Sequence, residues 1–451
     1  MVLNLWLYVL TYVGIVSLGY LRHHDILHPI VVTPTIYIYW TAGSVLAYAM
    51  GQNIYGGVRI EYIGSAMTVF TVALICFAIP LLFLRPQRSR CHRVICSPVA
   101  RRGQLVRTLN VLMTSLNLLA FAFVIPALNY GAPKYSLLPD FANASFFHYN
   151  YLLAFLILVP ALFALFGPSI WRISLLTTTN LGFYLAYCIL TQERDFVLFG
   201  LTYLVARRLA GQPIRARALA VGIVVVAMFF GISEYRSNFL GMGRTYLEVL
   251  AGQGSNLHIM TTVLSWIEGG LEYTNGMTYV HSVIRTVAPL AVDVGTPLAI
   301  WFHDEYAPSA LGGWGFAIDA EAYMNWGMPG VIGVFLVLGS ALAFIIERQR
   351  RGSVFWRYIY LHGYVIMLYA IRADSLMLIK AMTYGAISFM LILLVAGGGR
   401  IHRQWPARRG DIPELWEPPR RPVVTTPPRP RGYGADRSFP SERSLARPPA
   451  P

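Results

Sequence analysis

YIGSAMTVFTVALICFAIPLLFL (Tyr62–Leu84) runs directly into RPQRSRCHRVICSPVARRGQLVR (Arg85–Arg107). The first stretch has 23 residues and no charge. About 20 apolar residues suffice to cross some 30 Å of hydrocarbon as a helix. The second stretch carries seven arginines and no acid. Loops of that kind stay on the cytoplasmic side of a membrane. One pair of neighbouring segments therefore fixes a span and its direction.

Working outward, eleven stretches read as spans: Leu3–Tyr20, Ile30–Met50, Tyr62–Leu84, Leu109–Leu128, Tyr151–Phe166, Ile173–Leu190, Thr191–Ala206, Ala218–Ile232, Met328–Ile346, Val354–Ala370 and Leu376–Val395. Alternation from the arginine loop puts the N-terminus outside and the C-terminus inside. It places 28 of the 36 Lys and Arg residues inside and 14 of the 21 acids outside, whereas the opposite orientation would reverse both. The expectation is an all-α polytopic membrane protein of about 11 transmembrane helices, residues 1–396, with one large outer loop, 233–326. Ser255–Ile267 and Thr278–Val287 have helical apolar spacing, which predicts short helices in that loop lying on the membrane. The tail 397–451 holds 12 of 27 prolines and 11 arginines, a composition that predicts disorder.

Composition agrees. The chain is 56% hydrophobic and 13% charged, against about 25% charged in soluble domains. A net charge of +15 does not imply nucleic acid, because the cations flank the spans and fill the tail, where they face anionic headgroups. The first apolar run lacks a basic leader and a small-residue cleavage site, so it is expected to remain as a helix. Cys91 and Cys96 with His92 fall short of the four ligands of a zinc site, and no metal or other cofactor is expected.

Against this background a few outer cations stand out. Arg194, Arg236, Arg285 and Arg372 lie at or just beyond outer span ends, beside acidic residues. An arginine there opposes the orientation signal and is costly near hydrocarbon. An anionic ligand at the outer face is the reason to keep several. Arg194 belongs to Gln192-Glu193-Arg194-Asp195, Arg236 to Ser233-Glu234-Tyr235-Arg236, and Arg372 to Arg372-Ala373-Asp374-Ser375; Lys380 follows inside the last apolar run. Each could also be an ordinary polar hinge snorkelling to water. The richest stretch is LGGWGFAIDAEAYMNWGMPG, Leu311–Gly330, with Asp319, Glu321, Tyr323 and Asn325 at a span entrance. His258, His281 and His303 read as solvated loop histidines.

The order of these features is an arginine opening a span, a large outer loop, G-G-x-G-x-x-x-x-A-E-A-Y-x-N-x-G-x-x-G, and a late arginine between the last two spans. It resembles the bacterial oligosaccharide repeat-unit polymerases, the O-antigen polymerase family. The likeness covers roughly 190–395, and 312–330 is its most specific part. It implies a GT-C-like fold in the bacterial cytoplasmic (inner) membrane, with the active site facing outward. It implies a metal-independent glycosyltransferase that joins repeat units carried on polyprenyl diphosphate. A chain-length regulator is a partner by the same analogy. Arg194, Arg236 and Arg372 would then sit near the diphosphate, with Arg285, Lys380, Tyr323 and Asn325 as further substrate contacts. Glu321 would be the first choice of base and Asp319 the second. Other readings are a polysaccharide ligase, which the product would distinguish, and a flippase, which a flux assay would distinguish. A flippase needs a charged path through the bilayer, whereas these residues gather near one face.

Overall fold

The computed structural model describes residues 2–49, 58–85, 102–130, 142–166, 174–193, 196–209, 231, 255–288, 294–306, 315–351 and 353–397. All belong to the first of two units, Met1–Ile401 and His402–Pro451. The expected span Ala218–Ile232 apart from Gly231, the Cys91–Cys96 loop, Arg194, Arg236 and the tail beyond 397 lie outside the described residues.

The described residues are all-helical, without strands. In chain order the helices are α1 (Val2–His23), α2 (Pro29–Ala49), α3 (Ile63–Leu82), α4 (Arg102–Phe123), α5 (Ala142–Phe166), α6 (Leu175–Leu190), α7 (Phe196–Leu209), α8 (Ser255–Glu268), α9 (Met277–Val287), α10 (Leu298–Tyr306), α11 (Ile318–Gln349), α12 (Val354–Ala370) and α13 (Ser375–Gly397). Among the described residues, six segments are long and apolar enough to cross a membrane: Leu3–His23, Ile60–Leu82, Gly103–Ala127, Phe147–Leu165, Ile318–Gln349 and Ser375–Val395. Large apolar side chains face outward on them, such as Leu3, Leu7, Leu10, Leu18 and Leu21 on α1. A surface of that kind suits lipid rather than water. The chain is a multi-pass membrane protein.

Small residues set the closest approaches. Gly339 of α11 lies against the Phe77 carbonyl of α3, where a Cβ has no room. That is how helix backbones meet without a hydrophobic driving force between them. At one end of the bundle, arginines stitch helix ends together. Arg22 donates to the Leu84 carbonyl at 3.2 Å, Arg350 to the Arg85 carbonyl at 3.0 Å, and Arg208 pairs with Asp25 at 3.3 Å. The ends of α1, α3, α7 and α11 thus share one side, as strict alternation requires. We call it the basic end.

Two features differ from the sequence expectation. The α8 helix does not lie at a surface: Leu257, Ile259, Met260 and Val263 are fully buried where it packs against α2, α3 and α11. In addition, α11 is two successive helices that meet at a kink, broken at Trp326 (φ −145°, ψ 19°) and Gly327 (φ 64°, ψ −146°). Only glycine adopts the second of these conformations at ease. The break falls where the apolar run Met328–Ile346 begins, so the acidic segment 318–325 is a separate half-helix set against the opposite end of the bundle.

Candidate functional site

At that opposite end, the half-helix 318–325 carries Asp319 and Glu321. Residues two apart on a helix face opposite ways, and the two carboxylates diverge accordingly. Asp319 is fully buried towards α2, taking a 2.6 Å bond from the Tyr37 hydroxyl and a 2.7 Å bond from the Ala320 amide. Glu321, also fully buried, turns to α13. It accepts the Ser375 amide at 2.6 Å and the Ser375 hydroxyl at 2.7 Å. A carboxylate on a helix N-terminus satisfies orphan amides and complements the dipole. Glu321 thus caps α13 from a distant segment.

Asn325 is also internally committed. Its oxygen accepts from the Thr274 hydroxyl at 2.8 Å and the Gly276 amide at 2.7 Å. Its nitrogen donates to Thr278 Oγ1 at 2.7 Å and the Glu321 carbonyl at 2.8 Å. That fills the capacity of an asparagine amide and knits the left-handed turn at Asn275–Gly276 onto the half-helix. Tyr323 is half-buried next to Tyr273. Arg372 stacks its guanidinium over Trp40 of α2, 4.8 Å from the ring centroid. From sequence, Glu321 and Asp319 are candidate bases and Tyr323, Asn325 and Arg372 candidate substrate contacts; the side chains of these five residues are directed into separate neighbours.

An open cleft lies beside the Glu321–Ser375 junction. It is lined by Thr278, His281, Ser282 and Arg285 of α9, by Thr296, Pro297, Leu298 and Trp301 around the start of α10, and by Asp374 and Leu376 at the head of α13. Of the residues expected from sequence to act as base or to contact substrate, Arg285 alone lines it. Lys380 sits one turn below Leu376 on the same face of α13, its ammonium 5.8 Å from the Tyr384 ring. Arg285 is anchored by its Nη2 to the carbonyls of Val294, at 3.2 Å, and Gly295. This fixes the guanidinium, and among the described residues no hydrogen-bond acceptor meets Nε or Nη1. Burial pushes the Asp374 carboxyl above the ordinary carboxylate range, against the opposing pull of the Met377 and Ala299 amides and the Arg285 charge. No direct ion pair joins Arg285 and Asp374 among the described residues.

The α9 helix explains why the cleft is polar. Thr278, His281 and Arg285 line it, while Ser282 and Thr286 are buried towards α13. On the other side, Met277, Val280, Val283 and Val287 are 47–75% exposed. The helix is inside-out: polar towards the protein and apolar outward, as a helix bordering lipid must be.

Sequence reasoning named Asp374 only as a neighbour of Arg372 and read His281 as a solvated loop histidine, and it missed Thr278, Ser282 and Trp301. Two signals were present: the i, i+3, i+7 spacing of 278, 281 and 285 on a predicted helix, and the carboxylate inside Arg372-Ala373-Asp374-Ser375. Among the described residues, no three of His, Cys, Asp and Glu gather as a metal-ligand set. In comparisons with known proteins, no family model, no curated protein and no solved structure matches the chain.

Proposed function

We propose that the protein is a membrane glycosyltransferase that polymerises oligosaccharide repeat units carried on polyprenyl diphosphate, and that the α9–α10–α13 cleft is its reaction site. The observation that carries this is the inside-out α9, with Arg285 and His281 on its cleft side and an apolar stripe on the other. A ligand with a charged head and a hydrocarbon tail needs such a border.

The chemistry follows from the groups present. A hydroxyl oxygen of the acceptor unit attacks the anomeric carbon of the donor. The bond from that carbon to the diphosphate oxygen breaks, and the diphosphate leaves with the electron pair. The Arg285 guanidinium, with donors to spare, meets the growing negative charge, and His281 stands one turn away to share it. Asp374 accepts the hydroxyl proton, a task that suits a carboxyl held above its usual range by burial. In-line attack inverts the anomeric centre. By the family resemblance, Arg194 and Arg236 complete the diphosphate grip. The same resemblance supports eleven spans in a GT-C-like arrangement, a bacterial inner membrane with the cleft outward, and a chain-length regulator as partner. Glu321 and Asp319 then act as positioning residues, and the base is Asp374.

The test is glycan output in a deletion strain complemented with variants of confirmed membrane level. Arg285→Ala and Asp374→Asn should leave single repeat units on lipid and few long chains. Normal chain length with both variants would defeat the proposal.

A further inference from the structure

The α5 helix contains Pro160. Proline has no amide hydrogen, so the carbonyl four residues earlier, that of Leu156, loses its helical donor. This carbonyl lies inside the apolar span Phe147–Leu165, where no water is at hand to replace the lost donor. The donor comes from α12. His362, fully buried, places Nδ1 3.0 Å from the Leu156 oxygen. Its Nε2 lies 2.9 Å from the Ala381 oxygen of α13. The Ala381 carbonyl has the amide of Gly385 four residues on within its own helix, so the Leu156 carbonyl is the one that needs the ring proton. Gly385 supplies the space, since a methyl group there would collide with Nε2 and with the Tyr358 hydroxyl.

Pro160, His362 and Gly385 come from three helices and form one device. We infer that the Nδ1–H of His362 replaces the amide that Pro160 removes, and that this link makes His362 a positioning residue for the cleft. Ala381 is six residues from Ser375 along α13, about 9 Å of helix. The Nδ1–H bond therefore ties α12 to α5, and the ring seats α13 by packing into the space at Gly385, below Asp374. The inference that the link serves the cleft rests on the polymerase reading. The bond itself does not.

The experiment separates the two. Asparagine places its amide nitrogen near the position of Nδ1, and glutamine near that of Nε2. In the full-length protein, His362→Asn should keep chain growth near wild type. His362→Gln and His362→Phe should lower the turnover rate roughly five- to tenfold, with substrate KM little changed. In a Pro160→Ala background, which restores the amide, the loss caused by His362→Phe should shrink, both in turnover and in thermal melting in lipid nanodiscs. With ¹⁵N-histidine label, the signals that vanish in His362→Asn should show a protonated Nδ1. An unprotonated Nδ1, rescue by Gln instead of Asn, or an undiminished loss in the Pro160→Ala background would overturn the bond. Melting coupled to Pro160 without any change in turnover would keep the bond and overturn the positioning role. If the wild-type protein joins no sugars, the polymerase reading fails, and the melting cycle and the label still decide the bond.

Discussion

Asp374 is a carboxyl that folding does not favour ionised. Its native pKa is raised by burial. The stability linked to it is therefore fully present below the unfolded value of about 3.9 and is lost as pH rises through the native one. Two outcomes follow for Asp374→Asn at neutral pH. Its melting temperature should equal or exceed wild type, and its chain growth should fall about 10²-fold. In wild type, the acidic limb of the rate profile should lie above the ordinary carboxylate range. His258 has the opposite sign. Burial first, then the Arg59 charge, lowers its pKa from 6.5 to about 4. The native state then refuses a proton that the unfolded chain accepts. Stability should be full above pH 6.5 and fall by up to about 3 kcal/mol as pH drops to 4. Melting curves across that range check it, and His258→Leu should flatten the slope. At this scale the sequence was a poor guide. Asp319, Glu321 and Asp374 are equally acidic on paper, and only their neighbours decide that Tyr37 takes the first, Ser375 the second and the cleft the third.

For whole elements the sequence was more informative, and it misled where burial depends on tertiary partners. The periodicity of 278–287 gave a helix, which α9 is. The same spacing in 255–267 gave a helix resting on the membrane, yet α8 is enclosed by α2, α3 and α11. Amphipathic spacing reports which face is apolar, and it does not say whether lipid or protein meets that face. The α9 helix can be tested directly. Single cysteines at Val280 and Val283 should react with a lipid-soluble maleimide and resist a charged one, and cysteines at Thr278 and His281 should do the reverse. Glu321 is tested as a cap. Glu321→Ala leaves the Ser375 amide unmet and should cost about 1–3 kcal/mol, whereas Glu321→Gln, which keeps an oxygen there, should cost less. Melting temperatures would rank the two.

For the whole molecule, the apolar runs and the arginine loop made the all-helical membrane class legible, because length and charge act on the bilayer without reference to packing. The contacts at the basic end agree with the alternation read from the loops: Arg22 with Leu84, Arg350 with Arg85, Arg208 with Asp25. Tags placed in 86–101 and after Gly397 should be accessible from the same side of the membrane, and a tag at Glu272 from the other. What the sequence could not give was the cleft, since its walls come from 278–301 and 374–376 and meet only in three dimensions.

The Glu321–Ser375 junction joins residues 54 apart in the chain. During synthesis, α8 to α10 emerge long before the final hairpin, so α9 must wait until α13 enters the bilayer and packs against it. The pocket is therefore among the last parts of the protein to exist. A chain stopped after Gly352 would still be threaded through the membrane and would lack the α13 wall of the cleft. One stopped after Arg400 would carry every group that the cleft needs.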